Sequence, residues 1–296
     1  MRILTSFVFI VAIIICHIYG ETWQNEKNCG LSFTDRIVGG RMVRKGKYPW
    51  LARIGFGTLI KGKFIFLCGG TLITKDFVLT ASHCFREANT NIVVRLGETH
   101  SSCTKSPCDD PVIQDFEVKK LIMHKQFDTT NGFADIALLH LKTPAKLNKW
   151  VRTICLSKQI KSTIGDDGIT AGWGFEDSKT RERPEGLKEL TMKIVHADAC
   201  LKYFPKLNFQ SYNYICIGGK KNEDTCGGDS GGPFMKILNL GDLPRMYAVG
   251  VLSFGSKNCG QGVPSIFTSV NYYMDWIIDN INLAQKYNIT VKKHIT

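Results

Sequence analysis

Short apolar runs broken by turn residues set the texture of this chain. From Pro49 to Trp150 they are Leu51 to Gly55, Phe64 to Leu72, Phe77 to Ala81, Ile92 to Leu96, Phe116 to Met123 and Ile136 to Leu141. Runs of this length at fairly regular spacing, with no ten-residue amphipathic stretch between them, predict an antiparallel sandwich or barrel. The same texture resumes from Thr153 to Thr268, and no sequence repeat links the two halves. Only Asn271 to about Ala284 carries a helical period, with Tyr273, Trp276, Ile277 and Ile281 spaced to line one face. The tail beyond it, Gln285 to Thr296, is basic and expected to be loose, and Asn288-Ile-Thr290 within it is a glycosylation sequon.

The N-terminus reads differently. Residues 1–20 carry Arg2, an apolar run from Phe7 to Ile15 and a small residue at Gly20, the pattern of a secretory signal cleaved near Gly20. No later segment offers the ~18 consecutive apolar residues of a membrane-spanning helix, so a soluble, exported protein is expected. The chain of 296 residues has eleven cysteines, of which Cys16 leaves with the signal. An even number then remains, as suits disulfides in an oxidising compartment. Zinc is a weaker use for them, because only Cys103 and Cys108 are closely paired and no second pair matches them. The formal charge of +12 comes from scattered lysines and arginines, which fits solvated surface better than a nucleic-acid or heparin stripe. Neither nucleic acid nor a membrane is expected as a partner.

Three places carry candidate chemistry. In Asp224-Thr-Cys-Gly-Gly-Asp-Ser-Gly-Gly-Pro233, four glycines surround Ser230, the composition of a tight turn that presents a hydroxyl and lets a substrate approach the main chain. A serine attacks only if a base takes its proton and if donors, here the N–H groups of Gly228 and Ser230, meet the developing oxyanion. Thr80-Ala-Ser-His83-Cys84 ends one apolar run and supplies a histidine; Asp135-Ile-Ala-Leu-Leu139 opens another with an acid. Singly, His83 is a strand-end polar residue and Asp135 a turn aspartate. Together they form a base, an acid to orient it and a nucleophile, in the chain order His, Asp, Ser.

These residues resemble the chymotrypsin-like (S1 family) serine endopeptidases of trypsin-like type. Ile37-Val-Gly-Gly40, the His83, Asp135 and Ser230 stretches, Ala171-Gly-Trp-Gly174 and Ser253-Phe-Gly255 fall in that family's order over nearly the whole chain after the signal. The resemblance implies an all-β fold of two six-stranded antiparallel barrels, about 37–150 and 151–270, with a C-terminal helix and the site between them. It implies Ser230 as nucleophile, His83 as proton shuttle and Asp135 as its orienter, with the N–H groups of Gly228 and Ser230 as the oxyanion hole. It also implies a zymogen: residues 21–36 form a light chain, cleavage follows Arg36, and the freed amino group of Ile37 pairs with Asp229. Implied disulfides are Cys29 with Cys155, which tethers the light chain, Cys68 with Cys84, Cys200 with Cys216, and Cys226 with Cys259. Cys103 with Cys108 is an extra bridge resembling that of arthropod cascade proteases, although residues 21–36 are too short for the clip domain those usually carry.

The resemblance further makes Asp224 the floor of the primary pocket, selecting arginine or lysine, with Ser253 and Gly255 also binding substrate. Here the sequence departs from the trypsin-like pattern. Ser265 replaces a glycine in the wall and narrows the channel beside Asp224, and Phe254 replaces a tryptophan. The loop from Glu98 to Asp115, with Glu98, Asp109, Asp110 and Asp115, is oxygen-rich like calcium loops in some relatives, although a solvated acidic loop is the preferred reading and no metal or other cofactor is assigned. Expected partners are a protein or peptide substrate, an activating protease and protein inhibitors such as serpins, with the enzyme a monomer of two disulfide-linked chains. A cascade role in immunity, melanisation or clotting is favoured over a digestive one. A catalytically dead binding or cofactor module is the rival from another class, and retention of all three triad residues argues against it.

Overall fold

The structure, a computed structural model, describes residues 23–32, 43–58, 63–86, 91–100, 108–176, 179–207 and 212–293. Twelve strands form two closed antiparallel barrels. The first contains β1 (Leu51–Thr58), β2 (Lys63–Thr74), β3 (Phe77–Thr80), β4 (Asn91–Leu96), β5 (Gln114–Met123) and β6 (Ala137–Leu141), in the order β1-β2-β3-β6-β5-β4. The second contains β7 (Asp167–Gly172), β8 (Lys188–Val195), β9 (Tyr214–Gly218), β10 (Pro233–Leu238), β11 (Arg245–Phe254) and β12 (Pro264–Ser269), in the order β10-β11-β12-β9-β8-β7. Each of the six apolar runs read in the first half lies on one strand, to within a few residues at its ends. Closure explains the runs: a small barrel has an inside to fill and no exposed edge.

Each barrel is filled by its own side chains. Ile54, Leu72, Phe77, Leu79 and Leu138 pack inside the first, and Ile217, Val249, Phe234 and Phe267 inside the second. Full burial of such a side chain contributes roughly 1.5–3 kcal/mol. Gly168 is small because Phe234 needs its space, since a Cβ there would stand 2.2 Å from the ring. Ala171, Trp173, Met235 and Val251 of the second half share one apolar cluster with the first barrel, so the barrels meet across a continuous core. Residues reaching into the seam from either side are thereby held at fixed separation.

Two helical features depart from the sequence expectation. A five-residue helix, α1 (Ala197–Leu201), follows β8, and its N-terminus is capped by the side chain of His196. It is too short to show a period. The terminal helix, α2 (Met274–Lys293), packs Met274, Ile277, Ile278 and Ile281 on the first core but runs well past Ala284, through most of the tail expected to be loose. No glycine or proline interrupts residues 274–293, so nothing local stops the helix once packing has started it. Among the described residues no helix is long and apolar enough to cross a membrane.

Candidate active site

The first barrel brings His83 and Asp135 together. His83 sits in a 3-10 turn, Ser82–Phe85, directly after β3, and Asp135 lies two residues before β6, which pairs with β3. Ala134, fully buried, takes a left-handed φ of 54° just before Asp135, a conformation costly to a residue with a Cβ and held only by its surroundings. Asp135 has no exposed surface. Its Oδ1 accepts from the His83 backbone N–H at 2.8 Å, and its Oδ2 stands 2.7 Å from His83 Nδ1. An ionised carboxylate can only accept, so Nδ1 carries the proton and Nε2 is left as the basic nitrogen.

A third donor comes from the other barrel. Ser253 Oγ donates to Asp135 Oδ2 at 2.5 Å, and Thr268 Oγ1 donates to the Asp135 carbonyl at 2.9 Å. Ser253 is the extra residue of a bulge in β11, where Leu252 and Phe254 oppose the adjacent residues Phe267 and Ile266 of β12. Bulges re-aim side chains, and this one turns the hydroxyl across the seam. Ser253, expected to bind substrate, thus supports the aspartate. Its place beside a motif pointed to the site, but only the bulge fixes where the hydroxyl goes.

Ser230 is pinned at the seam by both barrels. Its carbonyl accepts from Gly69 N–H of β2 at 2.7 Å, while Gly231 and Gly232 exchange hydrogen bonds with Leu252 of β11 at 2.9 Å. Gly231, at φ 79°, lies where a Cβ would come within 2.2 Å of Thr80 Oγ1 and 3.2 Å of the Ala81 nitrogen. The glycine lets the serine loop press on the segment that leads into His83, and the Cys68–Cys84 bridge ties the turn of His83 to β2 next to Gly69. The backbone of Ser230 is thereby held against the turn that carries His83, with Cys84 Sγ 3.8 Å from its carbonyl.

Asp224, the residue expected to floor the primary pocket, is held from two sides. Its Oδ1 accepts from Ser265 Oγ at 3.1 Å and its Oδ2 from the Gly260 backbone N–H at 3.1 Å. Burial pushes its carboxyl above the usual carboxylate range, opposed by those hydrogen bonds and one from the Thr225 N–H. Gly255 faces the same space, since a Cβ on it would stand 3.4 Å from Ser265 Oγ and 3.7 Å from Thr225 Oγ1. The buried hydroxyls of Thr225 and Ser265 bond each other at 2.9 Å. Thr225 and Gly260 were not singled out from sequence. Thr225 could have been, as the neighbour of Asp224, whereas the Gly260 contact depends on how the Cys226–Cys259 bridge folds the chain.

The trypsin family model matches residues 37–277. The chain belongs to the trypsin family. It is 32% identical over 278 residues to the phenoloxidase-activating factor 3 of Holotrichia diomphalia, covering 90% of this chain and 78% of that one. It is 34% identical to the CLIP domain-containing serine protease HP8 of Bombyx mori, over 87% and 72% of the two chains, and 32% identical to the Spaetzle-processing enzyme of Drosophila melanogaster, over 87% and 69%. This trypsin-family chain is a serine endopeptidase related to insect cascade proteases.

Four disulfides implied by the family resemblance are present: Cys29–Cys155, Cys68–Cys84, Cys200–Cys216 and Cys226–Cys259. Cys108 is also disulfide-bonded, while its expected partner Cys103, like Arg36 and Ile37, lies outside the described residues. Cys68, His83 and Cys84 bring potential metal ligands close together, but both sulfurs are committed to one bridge. In the acidic loop, Glu98 pairs with Arg53 at 2.8 Å, Asp115 with Arg95 at 2.7 Å and Asp110 with Lys45 at 2.8 Å. Those carboxylates face cations rather than one another.

Asp229 lies close enough to Asp224 to feel its charge. Gly174 N–H donates to its Oδ1 at 2.7 Å and Cys226 N–H to its Oδ2 at 3.0 Å. Its carboxyl group is surrounded by protein, and that burial raises its pKa from 3.8 to about 6 against the pull of the two N–H groups and of Arg183. It borders a cavity of about 350 Å³ lined also by Gly172, Gly174, Glu189 and Leu190, and by Asp224 and Thr225, so the two carboxylates share one space. The segment from Val43 runs alongside: Val43 N–H bonds the Leu187 carbonyl at 3.0 Å, and Lys47 and Tyr48 both bond the Glu189 carboxylate at 2.6 Å.

Proposed function

We propose that this chain is a secreted serine endopeptidase, made as a zymogen and switched on by cleavage after Arg36, that cuts protein substrates after arginine or lysine in an extracellular cascade. The Asp224 pocket carries this reading. A half-buried carboxylate, fixed by Ser265 and Gly260 and opened to substrate by Gly255, awaits a cationic side chain long enough to reach it.

The proposed chemistry runs on His83, Asp135 and Ser230. Ser230 Oγ adds to the scissile carbonyl carbon as His83 Nε2 takes its proton. Asp135 stabilises the resulting imidazolium, and the N–H groups of Gly228 and Ser230 receive the oxyanion. Collapse breaks the C–N bond, the amine leaves with the proton from His83, and water repeats the cycle in reverse on the acyl-enzyme.

Activation would use Asp229. From Ile37 to the anchored Val43 is six residues, a reach of roughly 20 Å, and the cavity beside Asp229 offers a buried carboxylate to a new ammonium group. The light chain would stay attached through Cys29–Cys155. Two of the relatives are named for activating phenoloxidase and for processing Spaetzle, which supports a place in such a cascade, with an upstream protease and serpin-type inhibitors as partners.

The test is a cleavage profile of the chain processed at Arg36, before and after Asp224→Ser. A basic side chain lodged without its counter-ion costs about 3–5 kcal/mol, so cleavage after arginine and lysine should fall about a hundredfold or more. An unmutated enzyme that prefers aromatic or aliphatic residues would sink the assignment.

A further inference from the structure

The segment that delivers Asp135 is held from the second barrel at both of its ends. Tyr214 opens β9, and Thr268 lies opposite it on β12 as its register partner in the antiparallel pair, so the two side chains leave the sheet on one face. The Tyr214 hydroxyl donates to the Gly132 carbonyl, and the Thr268 hydroxyl donates to the Asp135 carbonyl at 2.9 Å. The two bonds bracket Phe133 and Ala134. Burial, with Tyr273 and the Asp135 charge adding to it, pushes the Tyr214 phenol far above its usual range. It therefore stays protonated and remains a donor.

Between these anchors the backbone is strained. Ala134 is fully buried at φ 54°, an angle that a residue with a Cβ keeps only while its neighbours over-determine it. Gly132, at φ 71°, is covered by Phe254, whose ring stands 2.1 Å from where a Cβ would be. Other bonds of the segment are internal to its own loop: Asp128 N–H donates to the Phe133 carbonyl at 3.0 Å and Ile136 N–H to the Ala134 carbonyl at 2.8 Å. Those bonds move with the loop. The hydroxyls of Tyr214 and Thr268 tie it instead to strands of the other barrel, the one that also supplies Ser253 to Asp135. Where the Asp135 backbone is set decides whether its oxygens meet the His83 N–H and Nδ1 at 2.8 Å and 2.7 Å.

We propose that Tyr214 is a positioning residue for catalysis: its hydroxyl fixes the Gly132 carbonyl, keeps Ala134 in its left-handed conformation and so sets the Asp135 carboxylate against His83. The inference rests on the reading in which Asp135 orients His83 for attack by Ser230. Tyr214 is buried and makes no substrate contact of its own. A fault introduced there reaches the reaction only through Asp135, so it belongs in kcat rather than in KM.

The experiment uses the full chain processed after Arg36, an anilide of whichever acyl-side residue that enzyme accepts, and a burst titrant to count active sites, so that misfolded protein drops out of kcat. Tyr214→Phe keeps the ring and removes only the hydroxyl. It should lower kcat roughly 3- to 10-fold at an unchanged KM, the range for one hydrogen bond to a neutral acceptor. Two double-mutant cycles trace the route. Made on top of Asp135→Asn, Tyr214→Phe should cost less than about twofold more, because the carboxylate it serves has gone. Made on top of Ala134→Gly, which takes a positive φ without steric cost, its loss should also shrink to within about twofold. Parent-level kcat per active site in Tyr214→Phe would overturn the proposal, as would a loss confined to KM. A loss that persists in full on either background would overturn it too, by showing that the hydroxyl acts elsewhere than through Ala134 and Asp135. The two readings fail separately: Asp135→Asn within a few-fold of the parent would strike the triad itself, whereas a crippled Asp135→Asn beside an unimpaired Tyr214→Phe would strike this inference alone.

Discussion

Asp135 and Asp229 are both carboxylates set into the seam between the barrels, and they are finished to different degrees. Asp135 has three donors on its two oxygens, from the His83 backbone, the His83 ring and Ser253, drawn from both barrels. Asp229 has two backbone donors, both from the second half of the chain, and a cavity beside it. The contrast separates two uses of a buried charge. One is satisfied by the fold and holds a base in a single orientation. The other is left short of a partner with space next to it, which suits a switch completed by an arriving cation.

The comparison breaks first at Asp135. Asp135→Asn replaces an acceptor-only group with one that can donate, so the Nδ1 proton loses its reason to be there and Nε2 can carry it instead. On the proposed reading, the enzyme cut after Arg36 should lose about 10²- to 10⁴-fold in kcat, the usual contribution of a positioned general base, while the variant still folds. A variant within a few-fold of the parent in steady-state kinetics would show that the carboxylate does not set the tautomer.

Asp229→Asn should act on stability as well as on activation. Burial in the folded chain pushes this carboxyl up from 3.8 to about 6, so between those values the folded chain binds the proton more tightly than the unfolded chain does. Stability contributed through this group is therefore lost as pH rises from about 4 to about 6. At roughly 1.4 kcal/mol per pH unit the full effect is at most about 3 kcal/mol, reduced to the extent that the neighbouring cavity holds water. Asparagine removes that slope. Denaturant unfolding of the uncleaved precursor should find the variant more stable than its parent at pH 7 and equal to it at pH 4, while the cleaved variant gains little activity. A variant less stable than its parent at pH 7 would mean that the ionised carboxylate is already well compensated in the precursor.

Much of this was legible in the letters, for identifiable reasons. The strands were readable because each strand of a closed barrel carries apolar residues to fill its inside, and turn residues mark the ends of those segments. The candidates His83, Asp135 and Ser230 were readable because each sits in a short motif near the end of an element, where chain order survives without the fold. What was not readable depends on register or on distance in the chain. Ser253 reaches Asp135 only because β11 gains a residue against β12. Tyr214 opens an apolar strand and reads as one more core residue, and only the bond from its hydroxyl to Gly132, 82 residues earlier in the chain, sets it apart. The end of α2 was misjudged because a basic, polar tail looks loose when no neighbour is known.

The finest test of the comparison is Ser253→Ala, because it removes one of Asp135's three donors and leaves the other two. Ser253 is buried and Asp135 has no exposed surface, so water does not readily replace the lost hydroxyl. A hydrogen bond to a charged group contributes about 1.5–3 kcal/mol, part of which is recovered as the His83 contacts tighten, and a fall of about tenfold in kcat is expected. The partition between constants decides what the residue does. If Ser253 positions the aspartate, the loss appears in kcat, with KM close to that of the parent for both long peptides and small anilides, because no substrate contact has gone. If Ser253 binds substrate, as its sequence neighbourhood indicated, KM rises on peptides with extended acyl-side residues and kcat holds. A rise in KM alone would return Ser253 to the substrate and leave Asp135 sufficiently held by His83, narrowing the difference between the two carboxylates to one oxygen's worth of hydrogen bonding.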